Sequence, residues 1–319
     1  MNYFIFNFKK HINLISSFLE SASIAHKHNK VKTEDWFFWK FRDNPFGETI
    51  LACAEEGGKI IGCVAYGMQP FWLHGKEVIC ALAFENFVHP AYQRKGIFKK
   101  LISLSEIETQ KKNINLLFVF PNRNSLPGYE RMGWDKLPSP EYWVQGKKLL
   151  TLPFLLNDLR KGFQPEASSF SSLVMPESFK QNLKTQNLSS VINLDYLKWR
   201  FFSYPVAQYA VIDTNEFYSI LRMGRRGKLR EAQVLFINLK QEQKTKIKNF
   251  LKVCKRKVDY DIISFPISKN NPVRNELKQN LFIKVPNRTN ICYKILTTDK
   301  ITDEQVRSIS LNAINYHTY

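Results

Sequence analysis

Gln93-Arg94-Lys95-Gly96-Ile97-Phe98 sets polar and cationic side chains and a glycine between two apolar stretches. A pyrophosphate needs several N–H donors converging from one side, and successive amides at a helix N-terminus supply them with a favourable dipole. Gly96 lets the backbone approach an anion closely, and Arg94, Lys95 and Lys99 add positive charge around it. The chemistry implied is the holding of a phosphate-bearing molecule. No GxxxxGK[ST] occurs, nor a GxGxxG after a strand, which argues against the usual ATP and NAD loops. Nearby, Glu85 and His89 are candidate proton acceptors, and His74 in the loop PFWLHGK (70–76) is a third. Asn122, Ser125, Tyr129 and Gly133-Trp134 form a second spaced group downstream.

The elements that must position these groups follow from apolar periodicity. CALAFENFV (80–88) reads as a strand, whereas Ile97, Phe98, Leu101, Ile102, Leu104 and Ile107 follow the helical period. The glycine turn therefore joins a strand over 78–88 to a helix over 96–112, and INLLFVF (114–120) completes a β–α–β unit. Upstream, a strand is expected at 3–8, helices around 10–25 and 33–42, and a hairpin over 51–67 about Glu55-Glu56-Gly57-Gly58. Scattered prolines and Ser168–Ser172 mark a connector at 146–190. Then the pattern restarts. Trp39-Lys40-Phe41 with Pro45 recurs as Trp199-Arg200-Phe201 with Pro205, both at an offset of 160. Apolar runs at 208–213 and 216–223, a strand at 232–239, a helix at 240–253 and a strand at 260–265 repeat the order, which reads as an internal duplication.

With 319 residues, 44% of them apolar and 14% aromatic, the chain is long enough for two cored domains. It contains no apolar run of the length a membrane helix needs. The N-terminus MNYFIFNFKK places its basic residues after a short apolar run, the reverse of a signal peptide, so a cytoplasmic protein is expected. Cys53, Cys63, Cys80, Cys254 and Cys292 lack metal-ligand spacing, and no metal is expected. The net charge of +19 points to an anionic partner, with Arg222, Arg225, Arg226, Lys228 and Arg230 as the densest basic run. Gly-Arg-Arg-Gly (224–227) is too short for a second phosphate loop and reads as a hairpin turn.

The stretch 88–100 resembles the acyl-CoA signature of the GNAT N-acyltransferases, Gln/Arg-x-x-Gly-x-Gly/Ala between the fourth strand and the third helix. Phe98 departs from it, standing where a small residue is usual. Val88-His89-Pro90 before it, and the spacing of Asn122, Ser125, Tyr129 and Gly133-Trp134 after it, resemble the family as well. The likeness covers 1–145 well and 190–319 as a degraded second copy. It implies an α/β (α+β) fold of two tandem GNAT-like domains, each a mixed, mostly antiparallel sheet flanked by helices. These are an acyl-CoA-binding domain (1–145), the connector (146–190) and a degenerate domain (191–319) on the acceptor side or structural.

The resemblance further implies acyl-CoA as donor, its pyrophosphate on the amides from Gln93 to Lys99 (Gln93, Arg94, Lys95, Gly96, Ile97, Phe98 and Lys99). Phe87 and Val88 would pair their backbones with the pantetheine, with Asn122 and Asn124 as polar contacts. Glu85, or the rival His89, would take the amine proton, and Tyr129 would donate to the departing sulfur. The likeness is strongest to N-acyltransferases of nucleotide-linked amino sugars, so an anionic acceptor is expected at Arg222, Arg225 and Arg226, with Trp36 and Trp72 as candidates to stack its base. A tandem-GNAT transferase using aminoacyl-tRNA is the alternative, and the intact Gln93–Gly96 turn argues against it. An aminoglycoside-type acceptor is a polycation that +19 would repel. No helix-turn-helix, zinc finger or RRM-like motif supports a nucleic-acid module. The oligomeric state stays open at this level.

Overall fold

A computed structural model describes residues 1–27, 31–148, 158–159, 161–166, 179, 188–204, 207–239, 247–287, 289–297 and 301–316. Most of the expected connector, the start of the helix expected at 240–253, and Pro205 lie outside the described residues. In chain order the elements used below are β1 (Asn2–Ile5), α1 (Ile15–His26), α2 (Glu34–Phe41), β2 (Ile50–Glu56), β3 (Lys59–Met68) and β4 (Cys80–Val88). There follow α3 (Ile97–Lys111), β5 (Leu116–Val119), α4 (Leu126–Arg131), β6 (Asp135–Leu137), β7 (Glu141–Gly146), β8 (Tyr209–Asp213) and β9 (Phe217–Arg226). The last are β10 (Leu229–Leu239), α5 (Ile247–Lys257), β11 (Ile262–Ile267), α6 (Arg274–Gln279), β12 (Ile283–Val285) and β13 (Ile291–Ile295).

Two compact units result. The first comprises Met1–Phe71, Gly75–Leu137 and Asn290–Glu304; the second comprises Trp72–His74, Pro138–Thr289 and Gln305–Tyr319. Each contains a mixed, mostly antiparallel sheet with helices against it, the α/β architecture expected. The division differs from a cut at 145 in two places. β7 joins the sheet of the second unit, and β13, from the far end of the chain, joins the sheet of the first.

The first sheet runs β1-β2-β3-β4-β5-β13-β6. Gly57 and Gly58, with φ of 60° and 78°, make the β2–β3 turn, a conformation that favours glycine. Thr33 starts α2 by accepting the Trp36 N–H on Oγ1 at 3.2 Å, and Glu34 and Asp35 follow in its first turn. α3 buries Ile97, Leu101 and Ile102 in a core with Ala52, Ala54 and Val64 of the sheet. β4 and β5 are parallel, paired from Cys80↔Leu116 to Ala83↔Val119 and no further. β13 fills the other side of β5, Cys292 opposite Val119. Its Lys294 donates to Glu106 Oε2 of α3 at 2.8 Å, and the Trp134 indole donates to Glu106 Oε1 at 3.0 Å, which fixes the segment after α4.

In the second unit the sheet includes β9-β10-β11-β7-β12 in that order, with β8 on β9. β10 and β11 are parallel over three residue pairs, Glu231↔Ile262 to Gln233↔Ser264. Phe217, Leu221 and Val234 pack with Phe250 and Leu251 of α5 and with Phe265. Glu141 of β7 accepts from Arg274 (2.6 Å) and Lys284 (3.0 Å), which hold its carboxyl down at about 2.

Candidate active site

The first unit opens where β4 leaves β5. One residue beyond the last parallel neighbours, β4 bulges: Cys63 faces Phe87 and Ala65 faces Phe84, so three steps on β4 match two on β3. Glu85 takes up the extra residue with φ of 50°, a strained value for a non-glycine side chain. Past the bulge lies a groove of about 780 Å³, lined on the β4 side by Asn86, Phe87 and Val88. Across it are Asn122, Asn124, Ser125 and Gly128, and at one end Gln93, Arg94, Gly96, Ile97, Phe98 and Lys99.

At that end the chain turns through Arg94 (φ 64°) and Gly96 (φ 76°) into α3. The first intrahelical bond runs from the Lys100 N–H to the Gly96 carbonyl at 3.2 Å. The Ile97, Phe98 and Lys99 N–H groups therefore precede any intrahelical acceptor, as donors at the positive end of a 15-residue helix. A Cβ at Gly96 would meet no protein atom within 4 Å, and its positive φ is a conformation that favours glycine. Phe98 is accommodated by Gly128, whose added Cβ would lie 3.3 Å from the Phe98 ring. Lys95 does not line the groove; its Nζ sits 5.0 Å over the Tyr92 ring. Arg131, which no motif singled out, does line it.

The two strand residues expected to pair with pantetheine divide. The His89 N–H donates to the Ile61 carbonyl at 2.8 Å, so by alternation Val88 turns its peptide groups away from β3. Its carbonyl accepts from the Gln93 side chain at 3.2 Å. Phe87 turns its peptide groups toward β3 and offers the groove only apolar surface, which corrects the expected backbone role. Asn122 spends its side-chain oxygen on the Asn124 and Ser125 N–H groups (2.9 and 3.0 Å), shaping the loop before α4.

The proton acceptors are also placed differently from expectation. Glu85 does not line the groove: Oε1 takes a 2.7 Å bond from Lys40, which is fully buried, and Oε2 lies 3.6 Å from His26 Nε2. His26, the last residue of α1, lines the groove and touches that carboxylate; it was missed because no motif surrounds it. His89 accepts the Ala91 N–H on Nδ1 at 3.3 Å, capping the short turn that follows, and is not a lining residue. His74 is an exposed loop residue of the other unit. Tyr129 is buried behind Asn86, Phe98 and Gly128; Asn86 Nδ2 donates to its hydroxyl at 2.6 Å. Phe98 and Trp134 meet its ring edge-on at 5.5 and 5.0 Å. Burial raises its pKa, so the hydroxyl keeps its proton.

Residues 14–137 match the family model described as acetyltransferase (GNAT) domain. The chain carries a GNAT acetyltransferase domain. It is accordingly an acyltransferase, with acyl-CoA as the co-substrate that such a domain implies. The fold as a whole is similar to a GCN5-related N-acetyltransferase from Anabaena variabilis ATCC 29413, at 11% identity and a TM-score of 0.63 over 93% of this chain and 73% of that one. Eis1 from Mycobacterium abscessus (11% identity, TM-score 0.60, 94% and 75%) and a GCN5-related N-acetyltransferase from Kribbella flavida (11%, 0.55, 92% and 71%) share it. No curated protein matches the sequence. The groove belongs wholly to the GNAT domain's unit.

The residues expected to hold an acceptor fare unevenly. Arg222 and Arg226 share one face of β9 and Arg225 the other. Arg226 is buried and bonded to Glu231 at 2.6 Å, Arg225 lies 3.5 Å from Glu166, and Arg230 is paired with Asp259 and Asp261. The run is therefore largely neutralised, by Glu231 immediately after it and by Glu166, Asp259 and Asp261 farther away in sequence. Arg222 alone of the three candidates meets no carboxylate among the described residues; its guanidinium lies 5.7 Å from the Phe163 ring, and desolvation lowers its pKa. Trp36 is a core residue, 3% exposed, with Lys40 Nζ 5.1 Å over its ring, which removes it as a base-stacking surface. Trp72 is half-buried on a short strand, Phe71–Leu73. Among the described residues no cluster of His, Cys, Asp and Glu is arranged to hold a metal, and no helix is long and apolar enough to cross a membrane.

Proposed function

We propose that the groove between the parted strands β4 and β5 binds acyl-CoA, and that an amine attacks the thioester there directly. The observation that carries this reading is the convergence of amide donors at Ile97, Phe98 and Lys99 on a groove that also receives the unpaired side of β4. The diphosphate rests on those amides with Arg94, Lys99 and Arg131 around it, and the pantetheine runs along Val88 as an added strand. Binding it there displaces the Gln93 amide from the Val88 carbonyl.

In the reaction a C–N bond forms as the C–S bond breaks, with the electron pair left on sulfur. His26, oriented by Glu85, takes the amine proton. Tyr129 supplies a hydrogen bond to the thiolate rather than a full proton, because burial makes its hydroxyl a weaker acid than a CoA thiol. The thiolate then takes its proton from solvent, and amide and free thiol are the products.

For the acceptor we propose an anionic amine, a nucleotide-linked amino sugar. The support is the net charge of +19 and Arg222, left without a carboxylate partner among the described residues. Isothermal titration with CoA tests the donor site, and a folded protein that binds none refutes it. For the acceptor, Arg222→Gln is expected to raise KM for a nucleotide-sugar about tenfold, equivalent to about 1.4 kcal/mol, with CoA affinity unchanged. An unaltered KM would remove Arg222 from that role.

A further inference from the structure

Asn86 lines the groove and is bonded at both ends of its amide. Because the β4 bulge leaves the Ala65 N–H without a ladder carbonyl, Asn86 Oδ1 accepts it at 2.9 Å. That bond decides the orientation of the amide: oxygen toward Ala65, nitrogen toward Tyr129. An NH2 group has only protons to give, so at 2.6 Å the Tyr129 oxygen must be the acceptor. A phenol hydroxyl carries one proton, and that proton then finds no acceptor among the described residues.

We infer that Asn86 is a positioning residue for acyl transfer, holding the Tyr129 hydroxyl as an acceptor on one side so that its proton is left to the departing sulfur. The inference rests on the reading of Tyr129 given above. It makes the bulge functional: without the extra residue, position 86 would not meet both the orphaned N–H and the phenol. As the C–S bond breaks, the pair on sulfur meets a hydroxyl whose proton is already turned from Asn86. No reorganisation of that donor is then needed at the moment charge develops.

Asn86→Asp is the discriminating change. It is nearly isosteric and can still accept the Ala65 N–H, but its second oxygen, when ionised, takes the Tyr129 proton for itself. The readout is release of the CoA thiol from acetyl-CoA, with a nucleotide-linked amino sugar as probe amine and with water alone. We expect kcat to fall about 10- to 100-fold with KM for acetyl-CoA within about twofold. Relative to wild type, activity should recover as pH falls and the new carboxyl is protonated, because an acid O–H again donates to Tyr129. In a Tyr129→Phe background the same change should cost nothing further. A wild-type kcat for Tyr129→Phe would overturn the Tyr129 reading and this inference with it. An impaired Tyr129→Phe, combined with an Asn86→Asp loss equal in both backgrounds, or with no loss, would overturn the positioning role alone. If Asn86→Asp does not fold, Asn86→Ser is read through the same cycle, and additivity with Tyr129→Phe again counts against the inference.

Discussion

Both units contain a strand that pairs in parallel with its neighbour for a few residues and then leaves it, and each has on that strand a carboxylate paired with a buried cation. In the first unit this is Glu85 on β4, in the second Glu231 on β10. Their surroundings differ in what remains for a ligand. Glu231 is fully buried and answered from within: Arg226 donates at 2.6 Å, Ser264 at 2.5 Å, and the Tyr142 hydroxyl completes the set. Gln233 in turn donates to Tyr142 at 2.8 Å, and the Arg226 guanidinium lies 4.6 Å over the Tyr142 ring. Glu85 is answered by one buried lysine and faces a histidine that lines a groove. The strand carrying Glu85 runs on into a glycine turn and helix N-terminus, whereas no glycine follows Gly227 anywhere in the chain. A parted pair of parallel strands thus makes a gap. Whether that gap serves chemistry depends on leaving donors and acceptors unspent at its rim.

The largest effect is expected for His26→Ala. If His26 is the base, kcat falls by about 10²–10⁴, while His89→Ala changes it by less than about twofold; steady-state kinetics with saturating acyl-CoA distinguish them. Loss of activity in His89→Ala with His26→Ala intact would return the assignment to the residue beside the turn. Next in size is Arg226→Met in the second unit. It leaves Glu231 buried without its cation, so unfolding free energy should fall by about 3–5 kcal/mol, read by urea titration, while CoA affinity in the variant that remains folded is unchanged. A stable variant with altered CoA binding would show that this network is not merely structural. The smallest effect is expected for Gly96→Asp. The left-handed φ and a carboxylate at the turn proposed to hold the diphosphate together should weaken CoA about 10- to 100-fold by calorimetry, with circular dichroism unchanged. An affinity within a factor of two would place the diphosphate elsewhere.

Much of the first unit was legible because its signals are local. The Gly57-Gly58 hairpin, the Thr33-capped helix and the strand–Gly96–helix passage depend on residues within a few positions of one another, and backbone preference and apolar period act over that range. The Trp-basic-Phe repeat was legible too, and the structure gives it a common physical form: Lys40 and Arg200 are both buried among aromatic side chains, Lys40 on Glu85 and Arg200 donating to the Ile314 carbonyl at 3.3 Å. His26 and Asn86 were not legible, since neither belongs to a recognisable spacing. His26 matters through Glu85, 59 positions on, and Asn86 through Tyr129, 43 positions on.

The glycine turn before α3, the order of strands and helices about it and the net charge of +19 were readable from the sequence. Tertiary structure alone decided that β13 should enter the first sheet beside β5 and β7 the second, pairings that join segments well over a hundred residues apart, such as Asn115 to Thr297. It also decided that Arg225 and Arg230 should meet Glu166, Asp259 and Asp261, and that Glu85 should be held by Lys40. The physical reason is the same in each case. A backbone conformation is chosen by its own side chains, whereas the state of a charge is set by what surrounds it in space once water has been excluded.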